Sequence, residues 1–444
     1  MAFTRRETAI LIVGDFLILV ASLWVALALR NLAFPAPGYF EANLVPFLPV
    51  FLLSLVIFYI AGLYEKQTRL VHYAMGERIL GAQVANVCIA AVLFFALPLT
   101  IAPKTILALY LIVSFVAVSS WRFYRTGRAR SPAARSPAVL VGTGAAVQEA
   151  FEEVNANPHA LMHFSAFLDT ATHADTLAAG LRAALASGAA IVVLDTRDTA
   201  VARILPELYG AVAHGVTFIE FSEFYEDTFD RVPLAHVDHA WLLEYVPREH
   251  LAHDIARRGA DILLAVFGLV IAAPFILVAA ILLRLSGGPA FIASERVGKG
   301  GRICTIWKLR TMLFNDAGDP ALRAKNRVTR LGKFLRKTRI DELPQLWNVL
   351  VGDLSLVGPR PELPALAAVY EREIPYYQTR HLITPGLSGW AQIHDYDAPR
   401  GGVDIERTRR KLSYDLYYLA HRSLGLDAAI ALKTLRALAS LSGT

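Results

Sequence analysis

The chain is short of charge. Asp, Glu, Lys and Arg make up 18% of its 444 residues while 55% are hydrophobic; a soluble protein of this size carries roughly a quarter charged residues. That shortage argues for residence in a membrane. Cysteine is scarce as well. Cys88 and Cys304 are the two in the chain; they lie far apart, in apolar or strand-like surroundings, which excludes a disulfide framework and a zinc-binding spacing. Acids are slightly outnumbered, 38 Asp and Glu against 44 Lys and Arg, for a net charge of +6. So small an excess suits an anionic lipid surface or phosphate-bearing substrates and is too modest to point to nucleic acid. The length admits two or three domains.

Long apolar runs are what the chain has in quantity. Four of them, at about residues 8–29, 44–63, 79–101 and 105–121, are each near the ~20 residues needed to cross a bilayer. The first follows Arg5 and Arg6, and its length and internal Asp15 are unlike a cleaved signal peptide. A carboxylate in lipid is costly, so Asp15 is expected to face the bundle interior. The segment between the second and third runs carries Lys66, Arg69 and Arg78, and the segment after the fourth carries Arg122, Arg125, Arg128, Arg130 and Arg135; the other two loops hold only Arg30 and Lys104 at their edges. The positive-inside rule then puts the N-terminus and everything after residue 122 in the cytoplasm. The expectation is a four-helix transmembrane bundle over residues 1–127.

RARSPAARSP (128–137) has the composition of a linker. Beyond it AVLVGTGAAVQEAFEEV, IVVLD (191–195) and GVTFIEF (215–221) alternate strand-like and helical patterns, which predicts a Rossmann-like α/β domain over 138–245. Gly142 and Gly144 fill the first two places of G-x-G-x-x-G, but Val147 stands in the third, and no acid lies about twenty residues on, after a second strand, Asp169 being somewhat late. A structural turn that binds no dinucleotide is the expectation. A membrane-tethered nucleotide-sugar oxidoreductase or epimerase would need that site and a Tyr-x-x-x-Lys spacing, which the domain lacks.

A fifth apolar run, ILLAVFGLVIAAPFILVAAILL (262–283), is long enough to span. Both of its flanks are basic, Arg248, Arg257 and Arg258 before it and Arg284, Arg296, Lys299 and Arg302 after it. Crossing would put one basic flank outside. Pro274 falls mid-run, where it removes a backbone hydrogen bond and kinks a helix. These features predict a re-entrant helix over 261–285, broken at Pro274, that enters one leaflet and returns. The alternative is a fifth, proline-kinked span, which would move all that follows to the opposite face. The C-terminal stretch RKLSYDLYYLAHRSLGLDAAIALKTLRALASL mixes aromatics, leucines and basic residues at helical spacing; such helices suit either the headgroup layer or the protein's own core.

The densest chemistry lies in RIDELPQLWNVLVGDLSLVGPRPE (339–362). Pro344 is tolerated only in a helix's first turn, and Leu343, Leu346, Trp347 and Leu350 follow at helical spacing, so a helix begins close to Asp341 and Glu342. A positive helix end favours their ionised forms and attracts phosphate oxygens. Adjacent residues point about 100° apart on a helix, so the two acids are expected to hold different jobs, one binding a divalent cation while the other attacks or orients. ICTIWKLRTM (303–312) reads as a strand that projects Lys308 and Arg310 on one face, and Arg360 is mounted between two prolines. With Arg336 these bases describe a site for a diphosphate with Mg²⁺. His381 and His394 have no metal-binding spacing and are read as incidental.

KLRTM, RIDELPQLWNVLVGDLSLVGPRPE, TPGLSGWAQI and YDLYYL, in this order and spacing, resemble the bacterial sugar transferase family, the monotopic polyprenyl-phosphate phosphoglycosyl transferases that start exopolysaccharide, O-antigen and capsule repeat units. The resemblance covers about residues 255–444 and marks a mainly helical catalytic domain; a four-span bundle plus Rossmann-like insert looks like the family's large form. It implies transfer of a sugar 1-phosphate from a UDP-sugar to undecaprenyl phosphate with release of UMP, on the cytoplasmic face of the membrane. It further implies Asp341 as nucleophile, Glu342 as Mg²⁺ ligand, Arg336 and Arg360 as phosphate binders, and Ala273-Pro274 as the bend of the re-entrant helix, where the family commonly has Ser-Pro. Ser294 replaces the family's commoner Gln before Glu295, Arg296, Val297 and Gly298, and IHDYDAPRGG after GWAQ departs from the commoner continuation; none of these departures touches the acid pair. An inactive scaffold of a polysaccharide assembly complex would have no need of that pair or its bases. The insert leaves room for homodimer contacts.

Overall fold

The computed structural model describes residues 2–64, 79–86, 90, 104–128, 135–157, 160, 162–173, 176–205, 215–245, 251–313, 326–394 and 403–439. Two compact units divide the chain, Met1–Thr228 and Phe229–Thr444.

The first unit opens with three helices, α1 (Ala2–Asn31), α2 (Pro37–Ile60) and α3 (Lys104–Arg128). Within them Ala9–Asn31 and Pro37–Ile60 are long and apolar enough to cross a membrane, and Ile106–Arg122 is a shorter apolar helix. The expected span at 79–101 is helical over 79–86 and at 90 and otherwise lies outside the described residues, as does most of the expected linker. Leu19, Leu23, Leu27, Phe47, Phe51, Phe58 and Tyr110 form the core between the helices, while Leu17, Leu52 and Ile112 point outward and exposed. A helix apolar on both faces is a lipid-facing helix. Asp15 does face inward, as its cost in lipid requires. It is fully buried, ion-paired with Arg122, and accepts a 2.8 Å hydrogen bond from Tyr64 Oη. Arg122, counted above among the loop's basic residues, is buried and also donates to the Leu63 carbonyl.

The same unit carries a four-stranded parallel sheet in the order β2-β1-β3-β4: β1 (Ser136–Gly142), β2 (Met162–Asp169), β3 (Ile191–Leu194) and β4 (Thr217–Glu220). Helices α4 (Ala145–Ala156) and α5 (Leu177–Ala186) connect and cover it, with Val139, Val141, Leu177, Leu181, Val192 and Leu194 in the core. Strands buried on both faces read as unbroken apolar runs, which is why VLV and IVVL carry no alternation. Asp169, late by residue count, is nonetheless the last residue of β2 and lies level with Gly142.

The second unit holds a single 35-residue helix, α6 (Leu251–Leu285). A break at Pro274 was expected; the helical run instead continues through it, because a proline costs one internal hydrogen bond while the turns on either side keep theirs. Leu263, Phe267, Val270 and Leu285 are among its many exposed apolar side chains, and this is the third helix among the described residues with the length and hydropathy of a span. After it come the antiparallel hairpin β5 (Phe291–Val297) and β6 (Ile303–Leu309), α7 (Arg330–Lys337), α8 (Gln345–Val351), β7 (Ser355–Val357), α9 (Pro364–Glu373), β8 (Gly386–Ser388), α10 (Ile405–His421) and α11 (Leu424–Ala439). β7 and β8 pair in parallel. The main core gathers Tyr370, Tyr377, Trp390, Leu412, Leu416, Tyr418 and Ile430. The aromatic C-terminal pattern of α10 therefore belongs to the protein's own interior. Val232, Val237 and Trp241, which the sequence placed with the α/β insert, sit in this core too.

Both ends of α6 are bonded to one small set of elements. Near its start, Arg257 Nε donates to Ser355 Oγ at 3.0 Å, Asp261 accepts from the Leu356 amide at 3.0 Å, and Arg258 donates to the carbonyls of Val349 and Leu350 at 2.7 and 2.8 Å. At its end, Arg310, just past β6, donates to the Leu283 carbonyl and to Ser286 Oγ, both at 3.0 Å.

Candidate active site

The acid pair sits on a single 3-10 turn, Ile340–Glu342, placed by a left-handed residue, Arg339 (φ 57°). α8 starts three residues beyond Glu342, after Pro344, so the carboxylates lie just ahead of the helix rather than inside its first turn. They are held differently. Glu342 lies among cations, with Oε1 2.8 Å from Lys308 Nζ, Oε2 3.4 Å from Arg339 and Oε1 3.9 Å from Arg360. Asp341 is buried and its Oδ1 has no hydrogen-bond partner among the described residues. The electrostatics follow. Burial raises Asp341 to about 6, with the negative Glu342 beside it adding to the rise and Lys308, Arg336 and Arg339 opposing it. Burial pushes Glu342 the same way, but Lys308, Arg360 and Arg339 outweigh it and hold that carboxyl at about 2. The neighbours have separate environments and separate protonation, as adjacent positions on a tight turn require.

The cations arrive from three directions. Lys308 projects from β6. In the hairpin register Lys308 pairs with Ile292 and Cys304 with Arg296, and residues two or four apart share a face of a strand, so Arg296 lies on the face that carries Lys308. Burial lowers Arg296 from its ordinary value, against the upward pull of Glu362 and with the positive Arg360 adding to the fall. Arg336, at the end of α7, donates to Thr311 Oγ1 at 2.9 Å. α7 lies close against the chain there: a Cβ on Gly332 would come 2.0 Å from the Thr311 carbonyl oxygen, and the Thr329 side chain caps the helix by accepting from the Gly332 amide at 2.9 Å.

Arg360 sits on a turn that the core holds from behind. Its own carbonyl accepts from Arg380 at 3.0 Å; Arg380 pairs with the buried Asp415 of α10 at 2.8 Å and donates to Tyr377 Oη at 2.7 Å. Beside the turn, a Cβ on Gly386 would fall 2.1 Å from the Gly358 amide nitrogen, so backbone meets backbone where β8 supports the Gly-Pro-Arg-Pro segment.

Of the residues singled out from sequence, the structure brings Lys308 and Arg360 into contact with Glu342, next to Asp341, and puts Lys308 and Arg336 within electrostatic reach of Asp341. Arg310 is not brought to the pair. It lies beyond the last residue of β6, where strand alternation no longer governs it, and its buried guanidinium serves the Leu283 carbonyl and the Ser286 hydroxyl at the end of α6. Two neighbours went unassigned. Arg339 contacts Glu342 through a local turn that composition does not announce, whereas Arg296 was within reach of hairpin register. Burial, with Arg380 nearby, lowers His381 to about 4, and His394 stacks on Tyr414.

Residues 252–440 match the family model described as bacterial sugar transferase. The UDP-glucose:undecaprenyl-phosphate glucose-1-phosphate transferase of Caulobacter vibrioides is 41% identical over 197 residues, 43% of this chain and 73% of that protein. The chain belongs to the bacterial sugar transferase family. A UDP-N-acetylgalactosamine-undecaprenyl-phosphate N-acetylgalactosaminephosphotransferase of Aeromonas hydrophila is 41% identical over 254 residues, 55% of this chain; the matched part is 58% of that protein's length. A Bacillus subtilis protein named as a putative undecaprenyl-phosphate N-acetylgalactosaminyl 1-phosphate transferase is 45% identical over 146 residues, 32% of this chain and 80% of its own. Family membership places the acid pair and its bases inside the matched segment.

Proposed function

We propose that this protein is a phosphoglycosyl transferase that moves a sugar 1-phosphate from a UDP-sugar to undecaprenyl phosphate, releasing UMP, at the cytoplasmic face of a bacterial inner membrane. The observation that carries the reading is a buried, unpartnered carboxylate oxygen on Asp341 beside a Glu342 that gathers Lys308, Arg339 and Arg360. The relatives' names supply the two substrates.

In the reaction we infer, an Asp341 oxygen attacks the donor's β-phosphorus. The bond from that phosphorus to the bridging oxygen breaks, and UMP leaves with the electron pair. A phosphate oxygen of the lipid then attacks the same phosphorus, the aspartyl–phosphorus bond breaks, and the carboxylate is regenerated. Splitting the transfer lets a soluble donor and a lipid acceptor react in turn. Lys308, Arg336 and Arg360 bind the diphosphate and offset the charge on the departing UMP.

The residues fit a Mg²⁺ ion. Glu342 is ionised and partly exposed, and Mg²⁺ is commonly held by one or two carboxylates with substrate phosphates and water completing its shell. Glu342 would hold it, and the ion would add charge neutralisation at the diphosphate.

The topology we propose is re-entrant. Arg258, near the start of α6, is bonded to α8, and Arg310, just past β6, is bonded to the other end of α6; an apolar helix held at both ends by one small unit, and bent at Pro274 without losing its helical run, enters and leaves a single leaflet. Two N-terminal helices of span length, a shorter apolar helix and basic loops support an N-terminal bundle of four, and the parallel sheet supports a Rossmann-like insert. The decisive experiment incubates the purified protein with undecaprenyl phosphate, Mg²⁺ and a panel of UDP-sugars, glucose, galactose and their N-acetylated relatives, and measures UMP release. We expect release with at least one donor and none from Asp341→Asn; native-rate turnover by that variant would refute the reading.

A further inference from the structure

Asp341 is not the sole orphan at the site. Gln345, one helical turn on, is also buried, and its Nε2 has no hydrogen-bond partner among the described residues. A buried amide donor left unpaired is costly, and buried polar atoms nearly always have partners. Two such atoms four residues apart mark one place where something is meant to bind.

The local packing gives Gln345 a direction. Asn348, three residues later on α8, is tied to β6: its Nδ2 donates to the Thr305 carbonyl at 2.7 Å and its Oδ1 accepts from the Trp307 amide at 3.1 Å. Glu342, three residues earlier, meets β6 at Lys308. Residues three apart share a helix face, so Gln345 lies between these two anchors, on the side of α8 that faces β6 and between Asn348 and the acid pair. A structural glutamine there would be hydrogen-bonded to β6 as Asn348 is. Gln345 is not.

We propose that Gln345 is a catalytic residue whose side-chain amide donates a hydrogen bond to a non-bridging oxygen of the phosphoryl group while it is transferred to and from Asp341. This rests on the reaction proposed above. The chemistry suits an amide better than another cation. Lys308, Arg339 and Arg360 already balance Glu342, and a neutral donor stabilises the phosphoryl oxygens without drawing the Asp341 carboxylate into an ion pair that would blunt its attack. An amide held in place by burial also needs no reorganisation as charge shifts at phosphorus.

The test uses the full-length protein in detergent or nanodiscs, with the UDP-sugar that the native enzyme turns over. Gln345→Leu and Gln345→Glu come close to the size of the side chain; leucine removes its donors, and glutamate does so when ionised, so the rates are taken on the alkaline side of neutral. Rapid mixing without acceptor, read by intact mass, follows the covalent adduct through its first turnover. We expect both variants to form the adduct about a hundredfold more slowly, the scale of removing one preorganised donor, with KM for the UDP-sugar changed by less than a few-fold and the melting temperature unchanged. Native adduct rates in both variants would overturn the inference, as would restoration by Gln345→Glu of the rate lost in Gln345→Leu, since shape alone would then account for the residue. If Gln345→Leu fails to fold, Gln345→Glu decides by the same readout. Failure of the underlying reading is separate: it would show as an absent adduct in the native protein or an undiminished one in Asp341→Asn.

Discussion

Asp341 and Glu342 are chemically almost the same residue, and their surroundings make them different. One is buried beside a negative neighbour and rises to about 6; the other is ringed by bases and falls to about 2. The sign for catalysis follows directly. In the reaction proposed above, attack needs ionised Asp341, which is protonated below about 6, so kcat/KM for the UDP-sugar should rise with pH up to that point and then level, with a value at pH 5 about tenfold below the plateau. Lys308 is the first of the charges lowering Asp341; Lys308→Met should move the rising limb to higher pH and weaken donor binding, both visible in one pH series of initial rates. His381 gives the opposite case for stability. Burial lowers its folded value to about 4 from the ordinary value of about 6.5, so the neutral form is favoured in the fold. The stability it contributes is present above pH 6.5 and is lost as pH falls through 4. Denaturation midpoints between pH 7 and 4.5 should fall less steeply in His381→Gln than in the native protein.

At the scale of elements, the site is placed by supports far away in sequence. Asp415 lies on α10 and pairs with Arg380, which holds the carbonyl of Arg360. Removing one partner of a buried ion pair leaves an uncompensated charge and costs about 3–5 kcal/mol. Asp415→Ala should therefore lower the unfolding midpoint markedly while also weakening donor binding. Gly332 acts by close approach: a methyl there meets the Thr311 carbonyl, whose residue also receives Arg336. Gly332→Ala should cost about 1–3 kcal/mol, as overpacking does, and reduce the rate of UMP release by displacing Arg336. The strands of the insert and the C-terminal helices were legible as elements because apolar runs and helical spacing are local signals. The 3-10 turn under the acid pair was not, since it depends on one left-handed residue, Arg339, that the sequence gives no reason to put there.

For the whole molecule, the question is which side of the membrane each end of α6 occupies. Single cysteines at Asp254 and Gly287, in a background with Cys88 and Cys304 changed to serine, should both react with an impermeant maleimide from the cytoplasmic face of inverted vesicles and from neither position in intact spheroplasts. Labelling of either position in spheroplasts would mean that the helix crosses. The basic flanks at both ends of 262–283 pointed to this topology. The continuity of the helix through Pro274 did not follow from them, because a proline's lost hydrogen bond is small beside the many that the rest of a 35-residue helix keeps.

Composition, run length and motif order by themselves determined that this chain lives at a membrane and that its C-terminal part belongs with the bacterial sugar transferases, and they singled out Asp341 and Glu342 as the candidate acids. Those are local or additive properties, and hydropathy and short motifs report them faithfully. Only the tertiary structure decided that Arg310 serves the end of α6 and not the acid pair, that Arg339 does reach the pair, that residues 229–245 join the catalytic core, and that Gln345 is buried without a partner. Each of these depends on where a side chain points once distant segments have packed, and a spacing along the chain does not contain that direction.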